Sequence, residues 1–148
     1  MTSIRPATPA DVAPVARLFR QVRQACLPYL PDLHTSAEDL AFFRDHVFPA
    51  AVVWVAGESE VVGFCAWRPG WVDHLYIHPE RHRKGLGTAL LTQAMAGQVA
   101  LRLWVFQRNV PALRFYAARG FRAIEHTDGS RNEEREPDTL MEWVRAAG

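Results

Sequence analysis

The run Leu75-Tyr76-Ile77-His78-Pro79-Glu80-Arg81-His82-Arg83-Lys84-Gly85-Leu86-Gly87-Thr88-Ala89-Leu90-Leu91 carries the clearest chemical pattern in the chain. An apolar stretch ends at a proline, basic or potentially basic side chains follow from Arg81 to Lys84, and two glycines lead into a helical sequence. Glycine lets a backbone approach a ligand closely. The first turn of a helix adds N–H groups with no intrahelical partner, at the positive end of the helix dipole. The combination predicts an anion site suited to a pyrophosphate. A solvated turn ahead of a helix is the competing reading, and the glycines at the helix entry weigh against it.

Two nucleotide motifs fail on the residues. A Walker loop needs Gly-x4-Gly-Lys-Ser/Thr, which Gly85-Leu86-Gly87 does not supply. A dinucleotide fold needs a third glycine, where Leu90 stands, and an acid about 20 residues on, which Leu101–Arg108 lacks.

Outward from this run, the chain alternates short apolar strands with helical spacing. Ser3–Arg5 predicts a first strand. Thr8-Pro9-Ala10-Asp11 is a helix start, and Val12, Val15, Ala16, Leu18, Phe19 and Val22 follow helical spacing to about Cys26. Thr35-Ser36-Ala37-Glu38 opens a second helix with a capping box, expected to end near Val47 because of Pro49. Ala51–Ala56 and Val61–Trp67 read as a hairpin, and Trp71–His78 as the next strand. A helix from Gly85 to Ala96, a strand at Leu101–Gln107 and a helix from Asn109, capped by Gly120, come next. Phe121–His126 and Thr139–Val144 are the last strands. The order β-α-α-β-β-β-α-β-α-β-β implies an α/β or α+β sheet of about seven strands with four helices on its two faces.

The whole-chain numbers fit one domain, residues 1–148: 49% hydrophobic and 22% charged residues give a globular composition. A formal net charge of +1 excludes a global pull toward nucleic acid or membrane. No apolar run reaches the roughly 20 residues of a membrane span, and residues 1–20 show no signal-peptide pattern. Cys26 and Cys65 read as reduced core residues of a cytoplasmic protein.

At residues 75–91 the pattern resembles the acetyl-CoA signature of the GNAT N-acetyltransferases, Gln/Arg-x-x-Gly-x-Gly/Ala after a strand ending apolar-x-apolar-x-Pro. Asn109-Val110-Pro111-Ala112-Leu113-Arg114-Phe115-Tyr116-Ala117-Ala118-Arg119-Gly120-Phe121 is similar to that family's second motif. The resemblance implies a mixed, mostly antiparallel twisted sheet and direct attack of an amine on acetyl-CoA, without an acyl-enzyme or a metal. It places Leu75, Ile77, His82, Arg83, Lys84, Gly85, Leu86, Gly87, Thr88, Asn109, Ala112 and Tyr116 along the cofactor. His82 departs from the usual Gln or Arg, and because His titrates near neutrality it implies a weak pH dependence of cofactor affinity. A homodimer is the assembly that family members often take.

Direct attack needs a deprotonated amine and a proton for the departing thiolate. Tyr116 matches the family's thiolate-protonating tyrosine, and a phenol with pKa about 10 is protonated at neutral pH. A packing role for its ring stays open. Asn109 resembles a pantetheine contact and can equally cap a helix. Along Trp71–His78, alternation puts Trp71, Asp73, Leu75 and Ile77 on one face and Val72, His74 and Tyr76 on the other. By resemblance, the face carrying Leu75 and Ile77 looks at the thioester. Asp73 is the ionisable group on that face and is favoured as base over His74. His74 and His78 stand roughly 13 Å apart on an extended strand, too far to share an ion.

By the same resemblance, the acceptor lies under the polar loop Asp128–Asp138 and the segment Tyr29–His34. Asn132, Glu133 and Glu134 can receive a cationic amine, and Tyr29 or Trp71 can pack on it by cation–π contact. A solvated loop with internal Arg–Glu pairs is the plainer reading. The implied activity is acetyl transfer to a primary amine of a small polar molecule or peptide. The rivals are a non-catalytic acyl-CoA-binding module and an enzyme of protein N-termini or lysines.

Overall fold

A computed structural model describes residues 3–147; residues 1, 2 and 148 of the expected domain lie outside the described residues. The elements are β1 (Ile4–Pro6), α1 (Val12–Cys26), α2 (Ser36–Phe42, prolonged by a π turn Phe43–Val47 and a last turn Phe48–Ala50), β2 (Val52–Ala56), β3 (Gly63–Arg68), β4 (Trp71–Ile77), α3 (Leu86–Met95), β5 (Ala100–Phe106), α4 (Val110–Ala117), β6 (Arg122–His126) and β7 (Asp138–Val144). This is the order the sequence predicts. The seven strands run β1-β2-β3-β4-β5-β7-β6. β1–β2, β2–β3, β5–β7 and β6–β7 pair antiparallel, and β4–β5 pair parallel at Trp71↔Arg102. The fold is therefore α/β (α+β) with a mixed, mostly antiparallel sheet.

By contacts the chain forms two compact units, Met1–Arg68 with Val72–Ala96, and Pro69–Trp71 with Gly97–Gly148. In the first, Val15, Leu18 and Val22 of α1 and Phe43 and Val47 of α2 pack on Val53, Val55, Phe64 and Ala66. Strand alternation turns Cys65 to the other face, where α3 packs with Leu86, Leu90, Leu91 and Ala94 buried. In the second unit, Leu101, Leu103 and Val105 share a face with their partners Trp143, Met141 and Thr139. Tyr116 and Phe121 are buried there with ring centroids 5.4 Å apart. The N–H groups of Gly120 and Phe121 close the end of α4 onto the carbonyls of Ala117 and Tyr116, at 3.2 and 3.1 Å.

Two expectations need correction. Pro49 does not end α2 at Val47; the helix continues to Ala50. Proline has no N–H and its ring crowds the carbonyl four residues back, here Asp45. The π turn Phe43–Val47 absorbs that conflict. Cys26 is not a core residue: it sits exposed at the end of α1, whereas Cys65 is buried, and burial raises the Cys65 thiol's pKa. Among the described residues, no helix is long and apolar enough to cross a membrane.

Candidate active site

The loop from β4 to α3 begins with a short 3-10 turn, Pro79–Arg81, capped by His78, whose Nδ1 accepts the Glu80 N–H at 3.1 Å. Beyond it the backbone is left-handed at Arg83 (φ 64) and again at Gly85 (φ 80). Alternation of this kind turns successive N–H groups toward one point, an anion-binding concavity. The first helical hydrogen bond of α3 runs from Ala89 N–H to the Gly85 carbonyl, 3.0 Å. The N–H groups of Leu86 and Gly87 precede it. A Cβ built at Gly85 meets nothing within 4 Å, so the backbone there is open to a ligand. Arg83 and Lys84 are exposed beside it. His82 points elsewhere: its Nε2 lies 2.8 Å from the carbonyl oxygen of Ile77, tying the loop to the strand end.

On β4 the predicted faces hold. His74 and Tyr76 look into an aromatic cluster, with Phe19, Phe43 and Phe64 rings 5.4 to 6.3 Å from the His74 ring. Burial there pushes the His74 pKa down to about 4, against the pull of Asp73, so the ring is neutral at pH 7. Asp73 faces the other way and is held by Arg68 through two bonds of 2.6 and 2.8 Å. Sequence reasoning missed Arg68. Its position five residues before Asp73, across the turn joining β3 to β4, was the signal available.

In the second unit, Asn109 caps α4, its Oδ1 accepting the Ala112 N–H at 3.4 Å. Tyr116 is 8% exposed, against Phe115 and Phe121. The loop after β6 is built rather than merely solvated. Glu136 is buried and takes two bonds from Arg108, 2.8 and 2.7 Å, which hold its carboxyl below the usual carboxylate range. Asn132 donates to the Glu136 carbonyl (2.7 Å) and accepts its N–H (3.1 Å). Gly129, at φ 83, lies where a Cβ would come 2.4 Å from the Glu136 backbone. Thr127 Oγ1 donates to Asp138. Of the predicted acceptor residues here, Asn132 and Glu134 line a cleft of about 450 Å³, together with Trp104, Phe106, Glu125 and Arg131. Glu133 is exposed and does not line it. The aromatic pair on β5 was missed by sequence reasoning, although the alternation Arg102, Trp104, Phe106 on one face was readable.

In the first unit, Arg20 fixes the segment between α1 and α2. It bonds Asp39 (2.8 Å), Asp32 (3.2 Å) and the His34 carbonyl, so the half-buried Tyr29 sits in a tethered linker. Trp71 is half-buried at its pairing with Arg102. Among the described residues, no group of three or more His, Cys, Asp or Glu is arranged to hold a metal ion.

The family model of the acetyltransferase (GNAT) domain matches residues 49–123, from the last turn of α2 through the loop before α3 to β6. The chain belongs to the GNAT acetyltransferases, and is thereby an acetyl-CoA-dependent N-acetyltransferase. It is 30% identical over 102 residues to the peptidyl-lysine N-acetyltransferase YiaC of Escherichia coli, covering 68% of each chain. The fold is similar to the apo-form solution structure of YjaB from Escherichia coli, with TM-score 0.79, 23% identity and 99% of both chains covered. It is also similar to YncA of Salmonella typhimurium, solved with acetyl-CoA, at TM-score 0.71 and 20% identity over 100% of this chain and 98% of that one.

Proposed function

We propose that the chain acetylates the ε-amine of a lysine in a peptide or protein, in the cytoplasm, with residues 1–148 acting as one catalytic domain. The observation that carries the acceptor class is the 30% identity to a peptidyl-lysine N-acetyltransferase over two thirds of the chain. The open, left-handed loop at Arg83 and Gly85 supports the donor side. There the N–H groups of Leu86, Gly87 and Thr88, with the Arg83 and Lys84 side chains, hold the pyrophosphate. Leu75 and Ile77 offer backbone groups to the acetyl carbonyl, and Asn109 and Ala112 follow the pantetheine arm.

In the reaction the amine nitrogen bonds to the acetyl carbon and the carbon–sulfur bond breaks. Asp73 anchors the amine and takes its proton on the way to solvent. Arg68 fixes the orientation of that carboxylate. Tyr116 gives its phenolic proton to the departing thiolate. His74 is set aside as base because its ring is shut among aromatic side chains.

Thiol release with acetyl-CoA and a lysine-bearing peptide tests this. Tyr116→Phe is expected to lower kcat by about 10²- to 10⁴-fold with the KM for acetyl-CoA unchanged. Full turnover of that variant at every pH removes the acid role. An unaltered pH profile in Asp73→Asn removes the base. Turnover of small amines but no peptide overturns the acceptor class.

A further inference from the structure

The cleft of the second unit owes its chemistry to a register shift. β5 and β7 pair Trp104↔Leu140 and Phe106↔Asp138, so these four side chains share one face. On the other edge of β7, β6 pairs Ala123↔Met141 and then Glu125↔Leu140, with Ile124 inserted as a bulge. Unbulged pairing would set Ile124 beside Leu140 and turn Glu125 to the face of Leu103 and Val105. The extra residue delivers a carboxylate to the face of Trp104 instead, across Leu140, where both line the cleft, and bulges commonly re-aim a side chain this way.

The cleft therefore combines an aromatic floor with acidic walls. Trp104 is 46% exposed, unusual for so large an apolar ring. Of the acids lining it, Asp138 is engaged by Thr127 and Asn132 within the loop. Glu125 meets a single exposed guanidinium, Arg131, at 3.4 Å. An exposed pair of that length is easily displaced by an incoming cation. A side chain with an alkyl stem and a positive end matches both features, the stem and charge on the ring and the charge on the carboxylate. Tyr116 does not line the cleft, so the reacting amine goes elsewhere and a second basic side chain of the acceptor fits here.

We propose that the cleft of Trp104, Phe106, Glu125 and Glu134 is a recognition subsite for a basic residue flanking the lysine to be acetylated. This rests on the peptide-acceptor reading for its kinetic test. A single arginine is walked through the positions on either side of a central lysine in an otherwise alanine peptide. KM and kcat are measured for wild type, Trp104→Ala, Trp104→Phe and Glu125→Gln. One arginine position is expected to lower the peptide KM by about tenfold in wild type with kcat unchanged. Trp104→Ala and Glu125→Gln each erase most of that preference, Trp104→Phe keeps it, and the KM for acetyl-CoA does not move.

Acetylation of all peptides without positional preference overturns the subsite. So does a preference that survives in both Trp104→Ala and Glu125→Gln. If wild type acetylates no peptide, the acceptor reading has failed, and the same peptides are titrated calorimetrically with coenzyme A present. Tighter binding of an arginine peptide, lost in Glu125→Gln, then still supports the subsite, and equal binding of all peptides removes it. Both substituted side chains are exposed, and matching melting curves of the variants confirm that they fold.

Discussion

The imidazole Nε2 of His82 lies 2.8 Å from the carbonyl oxygen of Ile77, so the residue that departs from the family's motif fastens the end of β4 to the loop that follows it. His82→Ala loses that tie, and one hydrogen bond of about 0.5–1.5 kcal/mol corresponds to a roughly 2- to 10-fold weaker acetyl-CoA affinity. Calorimetric titration of acetyl-CoA into wild type and the variant reads the loss, and equal affinities show that the tie does not support the loop.

Gly85 is left-handed at φ 80 with open space where a side chain would stand. Gly85→Ala meets no steric clash, only backbone strain of roughly 1–2 kcal/mol. The melting temperature of the ligand-free protein should fall accordingly. Coenzyme A should restore less stability to the variant than to wild type, because the new methyl group occupies the approach to the loop backbone. A thermal-shift series with and without coenzyme A reads both.

His74 is held neutral by its aromatic surroundings, its pKa lowered to about 4 against the ordinary 6.5. The unfolded chain therefore binds a proton at a pH where the folded one does not, and stability falls as pH drops from about 6.5 to 4. The loss from this group is at most about 3 kcal/mol. His74→Phe keeps a ring among Phe19, Phe43 and Phe64 and removes the proton site. Urea unfolding of the variant should show a flatter acid limb over that window.

Glu136 titrates in the opposite sense. The Arg108 guanidinium lowers its pKa, so its contribution is complete above the ordinary Glu range near 4.3 and is lost as pH falls through the lower folded value. Amide resonances of residues 128–137 should shift together in that acid window in wild type. In Glu136→Gln the transition should be missing and the loop already loosened at pH 7, read as faster hydrogen exchange there.

Much of the fold was legible because it rests on local chemistry. The Thr35–Glu38 capping box, the helical spacing of α1 and the glycines before α3 act over a few residues, and each element they predict is present. Pro49 misled because a helix can reroute one turn of hydrogen bonds around a proline when tertiary packing favours the longer helix. Cys26 misled because apolar neighbours in sequence do not fix which side of a helix end meets water.

By itself the sequence determined the element order, the strand faces of β4 and the glycine-led loop before α3, since periodicity and glycine positions encode them. Only the tertiary structure decided what each polar group meets. Asp73 against Arg68, His74 within its ring of aromatics, His82 on the Ile77 carbonyl and Glu125 turned to the face of Trp104 by one inserted residue are all of this kind. These depend on register and on packing between distant segments, and a one-residue shift in register exchanges the two faces of a strand.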